Sequence, residues 1–322
     1  MKNWERISTA AALLLLLCLF SLSIGETGFY SSPKAFIDNY FIVQEIRFPR
    51  MLSAALVGAS LGLSGLLTQT SFRNELAEPF TVGLAGSASL GIGLGILLGL
   101  DDTAYALSSI SFIFTLLSGL GLVVFKKIFL HRDSKQFILL GIVLSLFCSS
   151  LVSVVISKFR PDQMQTLYYW LLGGFGSYRD QWWPIIALTI GICLLVSMNR
   201  SKKLDLFLID RSSMPSFSIL ENRELAIQLF LVSLLTGVSV AACGMIGFIG
   251  LMAPHLAARM LSSYRHKALI PMSALMGAGL VQFADILAKT FSSGSYTPTG
   301  AVCTLFGTPF FLYLLARRRS NV

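Results

Sequence analysis

The chain has 322 residues, 54% of them hydrophobic and 13% charged, with a mean hydropathy of +0.73 and a formal net charge of +9. Ordinary soluble domains carry about 25% charged residues, so this balance excludes that class and marks a polytopic membrane protein. The Lys and Arg residues fall in short clusters between apolar runs, a distribution that orients a chain in lipid and gives no reason to expect a nucleic-acid partner.

Lys2 and Arg6 precede an apolar run from about Thr9 to Ile24. A cleaved signal peptide has the same outline, and a retained first helix is preferred because many later spans need that starting orientation. Gly25 to Ile46, rich in aromatic residues, should lie along the outer surface. Helix two should run inward from about Phe48 to Thr70 with Gly58, Gly62 and Gly65 on or near one face. Helix three should return from about Pro79 to Leu100 with Gly91, Gly95 and Gly99 in two G-x-x-x-G steps. These glycines are read as helix-packing residues beside the pathway, since small residues let backbones approach closely.

Helix four (about Ser108 to Phe125) and helix five (about Gln136 to Ser157) flank a basic cluster from Lys126 to Lys135. A partial helix over Tyr168 to Leu172 is expected on the outer side, before Trp182 and Trp183 anchor helix six at the interface. Helix six ends near Met198, and the polar insertion Asn199 to Glu224 leads to helix seven (about Leu225 to Ala242). The insertion mixes charged residues with Leu204, Leu206, Phe207 and Leu208, a pattern that suits a short amphipathic helix against another protein or a plain inner loop. Gly244 to Met260 contains Gly247, Gly250 and Pro254 and should be a broken or half-length span. Helix nine (about Ala268 to Ala288) and helix ten (about Gly300 to Ala316) complete an all-α chain of about ten transmembrane helices, one domain over residues 1–322. Most of the 25 Lys and Arg residues then fall inside, with both termini in the cytoplasm.

Chemistry-bearing motifs are sparse. No G-x-x-x-x-G-K-[ST] loop is present, so ATP would have to be bound by a partner, and neither H-E-x-x-H nor C-x-x-C occurs. The five cysteines, Cys18, Cys148, Cys193, Cys243 and Cys303, sit unpaired in apolar runs, and no disulfide, metal or cofactor is expected. Asp285 is the main acidic residue within a span and is read as a helix–helix hydrogen-bonding group in preference to a proton relay. His255 is read as bonding backbone freed by Pro254, while His131 and His266 should be solvated in basic inner loops.

The chain resembles the FecCD family, permeases of importers for iron-siderophores, haem and vitamin B12. The residues that carry the resemblance are R-F-P-R at Arg47 to Arg50, V-G-A-S-L-G-L-S-G from Val57, R-N-E-L-A-E-P from Arg73, L-L-G-I-V-L-S at Leu139 to Ser145, Y-W-L-L-G-G at Tyr169 to Gly174, G-F-I-G-L-M-A-P-H-L-A-A-R at Gly247 to Arg259, A-D-I-L-A-K at Ala284 to Lys289 and G-T-P-F-F-L-Y-L-L at Gly307 to Leu315. The resemblance implies a permease that pairs with a second permease, identical or paralogous, and works with two cytoplasmic ATPase subunits and an extracytoplasmic substrate-binding protein. Arg47, Arg50 and Lys289 match positions that face glutamates on the binding protein in the vitamin B12 importer. The segment of about residues 204–221 matches the part that rests on the ATPase, with Asp205, Asp210, Arg211, Ser213 and Pro215 as its contacts. Here the family's usual glycine and glutamate are replaced, since Asp210 and Arg211 stand in their place. The implied activity is import of a ferric siderophore, or alternatively of haem or cobalamin; from a different class, an ion-gradient carrier remains as a second reading, and a membrane enzyme ranks last.

Overall fold

Within hydrocarbon a chain must satisfy its own backbone polar groups, and long apolar runs do this as helices. The structure, a computed structural model, describes residues 2–25, 28–29, 38–100, 104–129, 134–175, 182–207, 217–292 and 297–319. In chain order the elements are α1 (Lys2–Ser23), the antiparallel pair β1 (Ile24–Gly25) and β2 (Gly28–Phe29), α2 (Tyr40–Phe72), a 3-10 turn (Pro79–Val82), α3 (Leu84–Leu97), α4 (Ala104–Phe129) and α5 (Ser134–Ile156). There follow α6 (Pro161–Leu172), α7 (Trp183–Asn199), α8 (Ser201–Phe207), α9 (Phe217–Cys243), α10 (Ile249–Leu261), α11 (His266–Phe291) and α12 (Thr299–Arg319). Of these, α1, α2, α4, α5, α9 and α11 are long and apolar enough to cross a membrane. The shorter apolar helices α3, α7 and α12, together with the half-length α10, bring the membrane elements to about ten.

The centre of the molecule is α2, which packs chiefly on α11 and also on α9 and α10. Its glycines explain why. Gly58 lies against Gly277 and Ala278, Gly62 against Ser273, and Gly65 against Gly250, so no side chain separates the helices at these crossings. The remaining helices turn apolar side chains outward, among them Leu13, Leu16, Leu117, Leu146, Leu188 and Leu195, as a lipid-facing shell requires.

Two elements differ from their expected extents. Helix two starts at Tyr40 instead of Phe48 because the backbone passes through a π-helical stretch, Val43–Arg47, just before Pro49. Proline has no N–H to return to the carbonyl four residues back, and the wider turn lets the helix continue outward past it. The partial helix expected from Tyr168 begins instead at Pro161, where proline occupies the first turn and Gln163 Oε1 accepts the Arg160 N–H at 3.1 Å. Its polar first turn had hidden it from a reading based on hydrophobicity.

At 13 residues, α10 is about 20 Å long, too short for a hydrocarbon core of about 30 Å. Its N-terminus is set by a tight approach: Gly244 has φ 73° and Phe248 φ 67°, both left-handed, and the Phe248 ring lies against Gly307 of α12.

Candidate functional site

Four groups of residues carry a functional reading, one near the N-terminal end of α2 and three at or just beyond its C-terminal end. Near the N-terminal end, Arg50 of α2 and Lys289 of α11 converge on Asp285, which is fully buried. Arg50 donates through Nε and Nη2 to Asp285 Oδ1 at 3.2 and 3.1 Å, and Thr299 Oγ1 donates to the same oxygen at 3.1 Å. Lys289 Nζ lies 2.8 Å from Oδ2 and also donates to Ser21 Oγ at 3.1 Å. Three helices, α2, α11 and α12, therefore meet on one carboxylate, and α1 joins them through Lys289. Arg47, also buried, donates to the Leu22 carbonyl at 2.9 Å and lays its guanidinium over Gly25. The structure thus gathers the three cations matched to binding-protein docking, and turns them inward. Asp285 does bond helix to helix, but as the anion of an ion cluster.

Where α10 meets the last turns of α2, the carbonyl of Gly250 loses its usual helical donor because Pro254 has no N–H. The Gln69 amide reaches it from α2, with Nε2 3.4 Å from the carbonyl oxygens of both Gly250 and Leu251, and His255 Nδ1 donates to Leu251 O at 2.9 Å. The half-length helix is therefore tied to α2 by a side chain that replaces its missing backbone bond. Phe80, Leu172, Met245, Gly247, Thr304 and Thr308 line an open cavity of about 680 Å³ around its N-terminus. A second cavity of about 550 Å³ lies toward its C-terminus, lined in part by Gln69, Arg73, His255, Arg259 and Tyr313. Gly91 and Gly95 stand away from both cavities, packed on Phe114 and Leu107 of α4. Gly58, Ala59, Ser60, Leu61 and Gly62 also spell G-x-S-x-G. The Ser60 hydroxyl, however, is buried in mid-helix and donates to the Leu235 carbonyl at 2.9 Å, which makes it a packing group and no nucleophile.

Glu78 was not singled out by sequence reasoning, although a carboxylate before a proline at the start of a 3-10 turn is a visible signal. It lies in the turn between α2 and α3, is buried, and its carboxylate accepts the Phe248 N–H at the N-terminus of α10. Burial pushes its pKa up from 4.5 to about 7, against the smaller opposing effect of that hydrogen bond. The folded protein then holds a proton that the unfolded chain gives up, so stability should fall as pH rises from about 4.5 through about 7, by on the order of 3 kcal/mol. Thermal unfolding of the purified protein across this range should show that decline, and Glu78→Gln should flatten it. An identical slope in the two proteins would remove Glu78 as its cause.

At the other end of α2, the short helix α8 leads into the segment matched to the ATPase contact. Asp210, Arg211, Ser213 and Pro215 lie outside the described residues. Asp205 is described, and its Oδ1 accepts both the backbone N–H and the Nδ1–H of His266, each at 2.8 Å. His266 Nε2 lies 2.8 Å from Thr70 Oγ1 of α2. His266 is only 1% exposed, so it is not the solvated loop residue that its basic neighbours suggested. Leu204 is buried too, and Arg200 and Lys203 both pair with Glu224 of α9. In its described part the amphipathic segment presses on its own chain.

The half-length helix, the glycine crossings and the open cavities define a multi-pass membrane permease. The chain belongs to the FecCD transport family, whose model matches residues 13–317. It is 32% identical to the vitamin B12 import system permease protein BtuC of Klebsiella pneumoniae over 319 residues, covering 96% of this chain and 92% of that protein. It is 34% identical to the Fe(3+) dicitrate transport system permease protein FecC of Escherichia coli over 285 residues, covering 86% of this chain and 83% of that one. A solved inward-facing structure of a metal-chelate type ABC transporter superposes with a TM-score of 0.85 at 26% identity, covering 98% of this chain and 99% of its own. The chain is an ABC-importer permease of this family, with ATP hydrolysis residing in a separate subunit.

Proposed function

We propose that this permease moves a ferric siderophore across the bacterial cytoplasmic membrane, as one of two permease subunits, identical or paralogous, assembled with two cytoplasmic ATPase subunits and served by an extracytoplasmic binding protein. The observation that carries the reading is the makeup of the larger cavity. Phe80, Leu172, Met245 and Gly247 offer apolar surface and Thr304 and Thr308 offer hydroxyls, a lining that lets a bulky chelate slide past without competing for its metal. Among the described residues no group of three or more His, Cys, Asp and Glu is placed to take a metal ion, so iron would travel inside its chelator. The similarity to a ferric dicitrate permease supports this cargo, and the similarity to vitamin B12 permeases supports cobalamin as the second reading.

In this reading both termini face the cytoplasm, residues 204–221 bear on the ATPase, and the face above Arg47, Arg50 and Lys289 receives the binding protein. Because Asp285 pairs with Arg50 and Lys289, those residues act by fixing the shape of that face, and long-range steering falls to charges around them. Vesicles containing the permease, the ATPase, the binding protein and ATP should accumulate radiolabelled ferric siderophore, and omission of the ATPase should abolish uptake. Accumulation by the permease alone under an ion gradient would overturn the reading, and preferential uptake of labelled cobalamin would exchange the cargo.

A further inference from the structure

We infer that His266 is a positioning residue that carries displacement of the ATPase-contacting segment into α2, through the continuous chain Asp205, His266, Thr70. The inference rests on the functional reading above and adds the route by which force would leave the coupling segment. Asp205 stands on α8, the last described element before residues 208–216. One oxygen of its carboxylate takes both the amide and the ring N–H of His266, the first residue of α11, so any shift of α8 is imposed on backbone and side chain together. The opposite ring nitrogen meets Thr70, which is 3% exposed in the last two turns of α2. Because Nδ1 gives its hydrogen to the carboxylate, the ring is fixed in orientation with Nε2 toward the hydroxyl.

α8 is not a slack linker. Leu204 is buried beneath it, and the paired Arg200 and Lys203 hold its start to Glu224 of α9. The chain also ends at a place where movement matters. Thr70, His266 and Gln69 all line the 550 Å³ cavity, and Gln69, adjacent to Thr70 in sequence, is the residue that holds the free carbonyl of α10. A displacement delivered at Thr70 therefore reaches the half-length helix that lines the same cavity.

The test uses the full complex in vesicles, with uptake and ATP hydrolysis measured together. Thr70→Val keeps the shape and removes only the hydroxyl. It is expected to assemble with the ATPase and hydrolyse ATP as the parent does, while cargo moved per ATP falls about fivefold, the scale of one lost hydrogen bond. Thr70→Ser, which restores the hydroxyl, should recover the parent ratio, and a change at His266 separates the relay from the bond that the same hydroxyl makes to the Leu66 carbonyl. His266→Asn, which keeps an N–H for Asp205 and cannot reach Thr70, should behave like Thr70→Val and serves if that variant folds poorly. A parent ratio in Thr70→Val and His266→Asn, or loss of ATPase association in both, overturns the inference and leaves the proposed function standing. Uptake by the unaltered chain without any ATPase overturns the proposed function and this inference with it.

Discussion

Asp285→Ala is expected to yield little folded protein on detergent extraction. The substitution removes the anion that Arg50 and Lys289, both nearly inaccessible, share. A cation inside protein keeps its charge at a high desolvation cost unless it is paired, and removing one partner of a buried pair typically costs about 3–5 kcal/mol. That is comparable to the whole stability of many proteins. The loss should be larger than for an average core truncation because two cations lose a shared anion at once and the Thr299 hydroxyl loses its acceptor. Replacing the cluster together, as Asp285→Leu with Arg50→Met and Lys289→Met, should recover much of the folded yield, since a buried ionic group exchanged for well-packed apolar side chains is often neutral or better. Size-exclusion profiles after heating would measure both variants. If Asp285→Ala were as stable as the parent, the carboxylate would not be what holds these helices.

Gly65→Val should be nearly as damaging for a different reason. A Cβ placed on Gly65 falls onto the carbonyl group and Cα of Gly250, atoms of backbone that have no rotamer to change. Overpacking a core usually costs about 1–3 kcal/mol when neighbouring side chains can shift. Here α2 and α10 would have to separate, drawing Gln69 away from the Gly250 carbonyl that it serves. We expect an effect at or above the top of that range, read as a lowered melting temperature in the same size-exclusion assay. Gly279→Ala is the matched control. Among the described residues nothing lies within 4 Å of a Cβ at that position on α11, and alanine favours the helix, so its melting temperature should equal or exceed the parent's.

The architecture was legible because long apolar runs and their basic borders follow from the energetics of lipid, and because Gly247, Gly250 and Pro254 advertise a span that cannot run straight through. The ion cluster was not. Asp285 stood out as an acid within a span, yet its partner Arg50 lies 235 residues earlier. A cation at the start of a membrane helix looks the same in sequence whether it meets lipid headgroups or a buried carboxylate. His266 was masked in a similar way: flanked by Arg265 and Lys267, it resembles inner-loop charge, and only the turn of α11 onto α2 puts its ring inside. The amphipathic pattern of α8 was correctly visible as such, while the surface it covers was not, since periodicity tells that a face is apolar without telling which molecule supplies the other half.

The crossings along α2 also limit how this chain can change through time. Gly58 meets Gly277 and Gly65 meets Gly250, so at each meeting point both sides already carry the smallest residue available. A side chain acquired on one helix cannot be accommodated by trimming its opposite number, because nothing is left to trim. Suppressors of such a mutation would have to arise at a distance, by letting whole helices drift apart, or by reversion to glycine itself.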